Sequence, residues 1–417
     1  MLSKCANCKD WLVCGSGCWL QRQHGTQCFK HLWNVPKSFK AAACIGLCIG
    51  TLSGCDEAKV EQSDNKPSQK SASHQNETPQ VLVLPGILAG KASSGRRYLK
   101  GKVNRRTELS ILKSLRWLNA HQNEDGSFSK EQPEAITGLT LLCFLAYDET
   151  PNSPEFGKTL VNAMKLLLSK QTSDGQFSGD SYSHCICTFA ISEAYRLTRI
   201  PMLEESMEKG LEHIIKNQQA GGGWSVGYKV DGEWNLLFSA WQIQALKAGK
   251  LAGSKNPKLQ EALQKAANFV QKTAFIDGIF YNSSATAKQK LVSGDAQGAG
   301  ARCLQWLGLK DSEEAKTTVQ WIIENINSDR SQDLIVSEKE SGLPCSLYFQ
   351  SQATFNANHK NLDQKYVLKL LRRERSEGCW QADEKNPVRY DIDTCYLTTI
   401  NCLTLQIRSQ DLSVFKE

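Results

Sequence analysis

A helix, a turn that pairs glycine with an aromatic residue, and a second helix recur along this chain of 417 residues. The turn reads D-G-S-F at 125–128, S-D-G-Q-F at 173–177 and A-G-G-G-W at 220–224, and it returns as D-G-I-F at 277–280 and S-E-G-C-W at 376–380. The aromatic residues lie about 50 residues apart, except that the last interval is about twice as long. That interval leaves room for one more unit, with its first helix at 313–327 and its turn signature lost. Six tandem helical hairpins are therefore predicted.

Each element of the repeat has a physical reason. Glycine permits the positive φ that ends a helix, and the Asp or Gln beside it can bond exposed backbone groups of the turn. A more apolar helix follows every turn, at 134–147, 182–197, 235–251, 295–307, 345–358 and 391–407. A single hairpin cannot bury its apolar face alone, so the units must stack. These patterns predict an all-α fold, an α6/α6 toroid over residues 107–410 with a charged outer ring and a tighter inner ring. An open solenoid of hairpins is the alternative.

Two of the turns carry a family resemblance. K-Q-T-S-D-G-Q-F at 170–177 and N-Q-Q-A-G-G-G-W at 217–224 resemble the QW repeats of squalene–hopene cyclases and the related repeats of protein prenyltransferase β subunits. The segments at 182–195 and 239–249 resemble short, single-toroid bacterial members of that terpene cyclase and prenyltransferase superfamily. The resemblance implies the α6/α6 toroid, and it implies a central cavity for an isoprenoid-like or elongated apolar ligand.

The acidic motif of the cyclases is incomplete here. Squalene cyclases begin their reaction with D-x-D-D-T at the start of an inner helix, where crowded carboxyl groups make one aspartic acid able to protonate an alkene. The similar stretch in this chain is Asp391-Ile392-Asp393-Thr394, which has one carboxylate fewer. Asp391 and Asp393 are the candidate catalytic residues, and capping of the last inner helix is their alternative role. If the chain is an enzyme, it is a divergent relative of the terpene cyclases or prenyltransferases.

The zinc pattern of the prenyltransferases is not matched either. Asp180, His184, Cys185 and Cys187 lie close together in sequence, but adjacent residues of a helix diverge by about 100°. No metal and no cofactor are predicted. His184 and Glu193 are interpreted as polar residues fixed inside the toroid, where they serve either the architecture or a ligand.

Other chemistries have weaker signals. No G-x-S-x-G nucleophile elbow is present in the sequence. Some α/α toroids cleave polysaccharides with paired carboxylates, and four aspartates precede or begin the inner helices. These are Asp180, Asp295, Asp391 and Asp393. A polysaccharide-active toroid is therefore kept as a second alternative.

The amino-terminal part has the features of a targeting signal. Basic residues at 37–40, a small apolar run at 41–51 and Leu52-Ser53-Gly54-Cys55 have the order of a secretory signal, and the ending resembles a bacterial lipobox. Residues 35–55 are therefore predicted to be a lipoprotein signal, with Cys55 as the lipid anchor. Residues 56–106 are predicted to be a flexible linker, because the stretch that follows Cys55 is polar.

Residues 1–34 are rich in cysteine and fit this scheme less well. They are interpreted as a preamble before a translation start at Val35, or as a small zinc site. The other half of the sixteen cysteines lies in the helical region, where thiols behave as small core residues. The net charge of +7 is spread along the helices, so no nucleic-acid partner is predicted.

The sequence thus predicts an exported protein of the bacterial envelope, held to a membrane through Cys55 and facing the periplasm or the exterior. Its toroid would bind, and if catalytic transform, an apolar ligand. A non-catalytic binding or scaffold module of the envelope is the alternative. The residues predicted to line the cavity are Tyr182, His184, Glu193, Trp234, Trp241, Asp295 and Tyr348.

Overall fold

A computed structural model of the chain describes residues 103–177, 180–230, 232–325, 345–381 and 393–416. The predicted preamble, the signal with Cys55 and nearly all of the linker lie outside these residues, as does Asp391. The described chain is mainly helical and has almost no sheet. Its outer helices are α1 (Arg105–Ala120), α3 (Gly157–Ser169), α5 (Pro201–Lys216), α7 (Leu259–Phe269), α10 (Glu313–Asn325) and α12 (Lys360–Arg373).

The inner helices alternate with the outer ones along the chain. They are α2 (Pro133–Leu145), α4 (Ser181–Thr198), α6 (Leu236–Ala252), α9 (Gly294–Trp306), α11 (Ser346–Asn356) and α13 (Thr394–Gln406). A π-helical turn extends α7, and the antiparallel strands β1 (Phe275–Ile276) and β2 (Ile279–Phe280) and the short α8 (Ser284–Lys288) precede α9. Every predicted second helix overlaps an observed inner helix.

The inner helices form a closed ring. Each packs against the next in the order α2, α4, α6, α9, α11 and α13, and α13 packs back against α2 and α1. Thr399 joins the two ends, because its hydroxyl lies 3.1 Å from that of Thr140 and its carbonyl accepts the thiol of Cys143 at 3.3 Å. Contacts on several sides bury nearly all of each inner helix. The predicted α6/α6 toroid is confirmed, and the open solenoid is wrong.

A repeated glutamine joins each of the first three hairpins to the following outer helix. The Gln218 amide donates to the turn carbonyl of Gly222 at 2.8 Å and to the Ala262 carbonyl of α7 at 2.9 Å. Gln122 and Gln171 make the same two kinds of bond in their own hairpins. One side chain thus satisfies carbonyls of two elements, which explains why glutamine precedes these turns.

The turn glycine is required for two reasons. Gly222 has φ +90°, and a Cβ there would lie 2.2 Å from the Lys265 carbonyl oxygen of α7. Gly378 has the same φ, and its Cβ would lie 2.6 Å from that of Lys113 in α1. The sixth turn therefore packs on the first outer helix, which closes the outer ring. Among the described residues, no helix combines the length and the apolar character that crossing a bilayer requires.

Candidate functional site

One side chain near the start of several inner helices accepts a hydrogen bond from its own hairpin's turn. In four hairpins the acceptor takes the backbone N–H of the turn's aromatic residue, at distances of 3.0–3.2 Å. The acceptors are His184, Ser239, Gln297 and Thr398. Since the turn lies at the outer side of its inner helix, these side chains point away from the centre of the ring.

The residue two positions before each acceptor points the other way, because two residues turn a helix by about 200°. These residues therefore face the lumen that the inner ring encloses. They are Tyr182, Leu237, Asp295 and Tyr396. The pKa of Tyr396 in α13 agrees with this placement, because the charge of Asp295 in α9 contributes to raising it. The two side chains are therefore close across the lumen, although α11 stands between their helices in the ring.

The middle of the lumen is filled where α6 meets α11. The rings of Trp241 and Tyr348 stack with centroids 5.7 Å apart and planes at 7°, and the Gln244 amide donates to the Tyr348 hydroxyl at 2.7 Å. Trp241 and Tyr348 are buried. The α9 helix separates α6 from α11 in the ring, so these contacts cross the lumen. We call this layer the floor of the site.

Above the floor, towards the ends where the inner helices begin, a buried carboxyl group lies near a thiol. Asp295 and Cys345 are 3% and 4% exposed. Burial, and after it the charge of Asp295, raises the pKa of the Cys345 thiol well above its usual range, while the Trp241 side chain, hydrogen-bonded to Cys345, acts in the opposite direction. The thiol is therefore protonated at neutral pH and is no nucleophile.

Two phenols complete this layer. Burial raises the pKa of Tyr396, and Cys345 and Asp295 add to the effect. Burial likewise raises the pKa of Tyr182, with smaller contributions from Cys345, Cys185 and Asp180. The Tyr182 hydroxyl oxygen is buried and has no hydrogen-bond partner among the described residues. We call Tyr182, Trp241, Asp295, Cys345, Tyr348 and Tyr396 the lumen cluster.

The opposite end of the lumen is closed by residues 407–416, the carboxy-terminal segment. Its Ser413 donates a backbone N–H to the Glu193 carboxylate at 3.0 Å, and its Val414 carbonyl accepts the Trp306 indole at 3.0 Å and the buried Arg302 guanidinium. Leu412, Val414 and Phe415 are fully buried. A ligand can therefore enter the described lumen only from the end where the inner helices begin.

The predicted cavity residues separate into two groups. Tyr182, Trp241, Asp295 and Tyr348 belong to the lumen cluster. The three others lie elsewhere. His184 lies between α4 and α5, Glu193 binds the carboxy-terminal segment, and the Trp234 ring packs on Phe269 of α7 with centroids 5.5 Å apart. For His184 and Glu193 the geometry agrees with an architectural role.

Asp393 has the geometry of a helix cap. Its carboxylate accepts the backbone N–H groups of Cys395 at 2.5 Å and Tyr396 at 3.2 Å, and the Ser129 hydroxyl of the first hairpin donates to it. These bonds occupy the carboxylate as an acceptor. Among the described residues, no three His, Cys, Asp or Glu side chains cluster as ligands of a metal ion.

Three residues of the floor and of the layer above it were not predicted. They are Cys345, Tyr396 and Gln244. Tyr396 could have been found by counting two residues back from Thr398, once the latter is known to face its turn. Cys345 and Gln244 gave no signal, because their placement depends on contacts across the lumen with other helices.

Comparison with solved structures identifies the architecture. No protein-family model and no curated protein sequence matches this chain. The type II terpene cyclase MstE from Scytonema, in complex with geranylgeranyl dihydroxybenzoate, is 13% identical, with a TM-score of 0.50 over 74% of this chain and 98% of its own. A D-mannose isomerase is 15% identical, with a TM-score of 0.55 over 73% and 98%. The chain has the α/α-toroid fold of these enzymes.

At this level of identity, this chain and the matched enzymes are shown to share only their fold. The cellobiose 2-epimerase of Bacillus thermoamylovorans also matches, at 10% identity and a TM-score of 0.53 over 72% of this chain and 98% of its own. Enzymes of terpenes and of sugars thus have the same toroid, so the function must be argued from the lumen cluster.

Proposed function

We propose that this toroid binds an apolar, isoprenoid-like ligand at the lumen cluster, and that the protein is exported and held to a bacterial membrane through a lipid on Cys55. The observation that carries the ligand proposal is the stacked pair of Trp241 and Tyr348, which forms an aromatic floor across the lumen. The far end is closed. Flat π-faces favour contact with alkenes and with cationic charge.

The filled floor restricts where the ligand lies. Trp241 and Tyr348 have almost no exposed surface, so a ligand does not run through the whole toroid. It rests above the floor against Tyr182, the half-buried member of the lumen cluster, beside which Asp295 and Tyr396 are buried. The Tyr182 hydroxyl, which has no partner among the described residues, offers one polar contact to the head of such a ligand.

Isoprenoid binding fits this lining better than polysaccharide hydrolysis. Glycosidases use two carboxyl groups that flank one bond, and Asp295 is the one carboxyl group of the lumen cluster. The thiol and phenols around it stay protonated at neutral pH. The terpene cyclase of the same fold binds a geranylgeranyl substrate, which supports an apolar ligand here.

A non-catalytic binding module is the second candidate. It is favoured by Asp393, whose carboxylate is engaged as a helix cap. The two candidates differ in turnover, whereas both predict a bound ligand.

Native mass spectrometry of the purified full chain with geranylgeraniol tests the ligand. Tyr182→Ser should weaken binding at least tenfold, because it removes one wall of the site. Tyr195→Ser is the matched control, since Tyr195 is a half-buried tyrosine of the same helix that contacts Arg199 instead. It should change the affinity less than twofold. Equal affinities of the two variants, or no binding by the wild type, would contradict the ligand proposal. A changed ligand mass after incubation would indicate an enzyme.

Intact mass of the membrane-extracted protein tests the anchor separately. A mature chain that begins at Cys55 and carries a diacylglyceryl mass is expected. Cys55→Ser should leave an unmodified chain with its amino terminus retained, since lipidation precedes cleavage. An unlipidated wild-type chain would contradict the anchor and leave the ligand proposal intact.

A further inference from the structure

Charge is unevenly distributed around the outer ring. The sequence of α12 has five basic and one acidic residue, a net charge of +4, and α1 has four basic and one acidic, a net charge of +3. The next outer helix, α3, adds two lysines. Across the ring, α5 and α10 each have a net charge of −2, and α7 is neutral. One side of the toroid is therefore basic and the other acidic.

Most of the described basic side chains of α12 and α1 are exposed. They include Arg105, Arg106 and Lys113 on α1 and Lys365, Arg372 and Arg373 on α12. The two helices are neighbours, because α12 packs against α1 where the ring closes. We call their outward side the basic face.

Exposed leucines lie among these charges. Leu109 of α1 is 50% exposed and Leu368 of α12 is 38% exposed. A groove on α12 is lined by Lys365, Leu368, Lys369, Arg372 and Arg373. Basic side chains around leucines are typical of surfaces that lie on anionic lipid, where the cations meet phosphates and the apolar groups enter the headgroup boundary.

The connection to Cys55 also reaches this face. Residues 56–102 join Cys55 to Val103, and α1 begins at Arg105. A chain held at Cys55 therefore enters the toroid at one of the two helices of the basic face.

We propose that the basic face is the surface by which the toroid lies on an anionic membrane leaflet. This proposal rests on the membrane location given above, and it is independent of the ligand. The membrane supplies negative charge within the screening distance of exposed arginines and lysines, about 8 Å at physiological salt. The acidic α5 then lies on the other side of the toroid from the leaflet.

Lysine footprinting tests the orientation. The full chain is mixed with vesicles of phosphatidylcholine alone or of phosphatidylcholine and phosphatidylglycerol in equal parts, floated, and treated with an acetylating reagent. Mass spectrometry then compares Lys113 and Lys365 with Lys258 and Lys272, which are exposed near α7. On anionic vesicles, acetylation of the first pair should slow at least threefold and recover in about 0.5 M salt, while the second pair is unchanged.

Charge-reversal variants add a matched control. Arg372→Glu with Arg373→Glu should weaken binding to anionic vesicles at least tenfold, whereas Lys258→Glu with Lys272→Glu, the same change in net charge, should have little effect. Equal protection of both lysine pairs, equal effects of both variants, or no flotation with anionic vesicles would overturn the proposal. Flotation on anionic vesicles without protection of Lys113 and Lys365 would show that the chain binds the membrane but does not use the basic face.

Discussion

The backbone N–H of Phe177 donates to Nδ1 of His184 at 3.1 Å, so Nε2 must carry the ring proton, which it donates to the Gly210 carbonyl at 3.2 Å. Both nitrogens are thus engaged in the neutral form. Burial, and after it the charge of His213, lowers the pKa of His184 to about 3. The imidazole is a structural link between α4, its turn and α5.

This link predicts a pH dependence of stability. Between pH 6.5 and about 3 the unfolded chain binds a proton at His184 and the folded chain does not, so the free energy of unfolding falls as the pH falls through that window. Near pH 5 the loss from this group is about 2 kcal/mol relative to neutral pH. His184→Gln should remove that part of the loss, because an amide can accept and donate in the same way, as Gln297 does in the fourth hairpin.

Urea unfolding of the wild type and His184→Gln at pH 7.5 and pH 5 measures the effect. His121→Gln is the control, since it removes an exposed histidine that is not part of this link. His213 also has a pKa lowered by burial and titrates in both proteins, so the difference between the slopes is the quantity to compare. Equal slopes would contradict the assignment.

Alanine substitutions at two glycines should lower the free energy of unfolding by different amounts. Gly222→Ala adds a Cβ at φ +90° and 2.2 Å from a backbone oxygen, whereas Gly253→Ala adds one at φ +92° with nothing within 4 Å. Gly253→Ala should therefore cost about 1 kcal/mol, the backbone cost alone. Gly222→Ala should cost about 3 kcal/mol or more, because the outer helix must also move. Similar unfolding free energies in urea would show that the approach of α7 to the turn is unimportant.

The repeats predicted the ring, whereas contacts across its interior had no signal in the sequence, for a physical reason. Glycine, glutamine and the turn aromatics act within one hairpin or on the next, so their spacing along the chain reveals them. The cluster of Tyr182, Cys345 and Tyr396 joins three helices that are far apart in sequence, and only the closed ring brings them together. His184 and Glu193 were interpreted as polar residues fixed inside the toroid, but their partners, Phe177 and Ser413, had no signature.

Thiol chemistry provides another test. The eight cysteines of the described residues are all free and buried. Burial, ahead of nearby charges, raises the pKa of Cys185 and Cys187 well above the usual range. Iodoacetamide reacts with thiolates, so the native protein at pH 8 should leave these eight unlabelled, and guanidinium should expose all of them. Mass spectrometry of the peptides reads each site. Rapid native labelling of any of the eight would contradict its burial.

Removal of the end of the carboxy-terminal segment should cause the largest loss of stability. Removal of residues 411–417 takes the Val414 carbonyl from Arg302 and Trp306, and it takes the Ser413 donors from Glu193. Arg302 and Glu193 are fully buried. Glu193 keeps its ion pair with Arg196, but each hydrogen bond that a buried charged group loses costs about 1–3 kcal/mol, and the buried side chains of the segment are lost as well. Truncation after Gln410 should therefore leave a chain that is unfolded or nearly so, since a whole domain is stable by only about 5–15 kcal/mol.

Phe415→Ala gives a milder version of the same test. Its buried ring lies 6.3 Å from that of Tyr348, centroid to centroid, and its loss leaves a cavity beneath the floor that should cost about 3–5 kcal/mol. Lys416→Ala, at an exposed position of the same segment, should leave the urea midpoint unchanged. A stable truncated chain, or equal midpoints for the two substitutions, would show that the segment only covers the end of the lumen. The truncated chain should be the least stable and Phe415→Ala the next least stable. This order follows only if the segment completes the core.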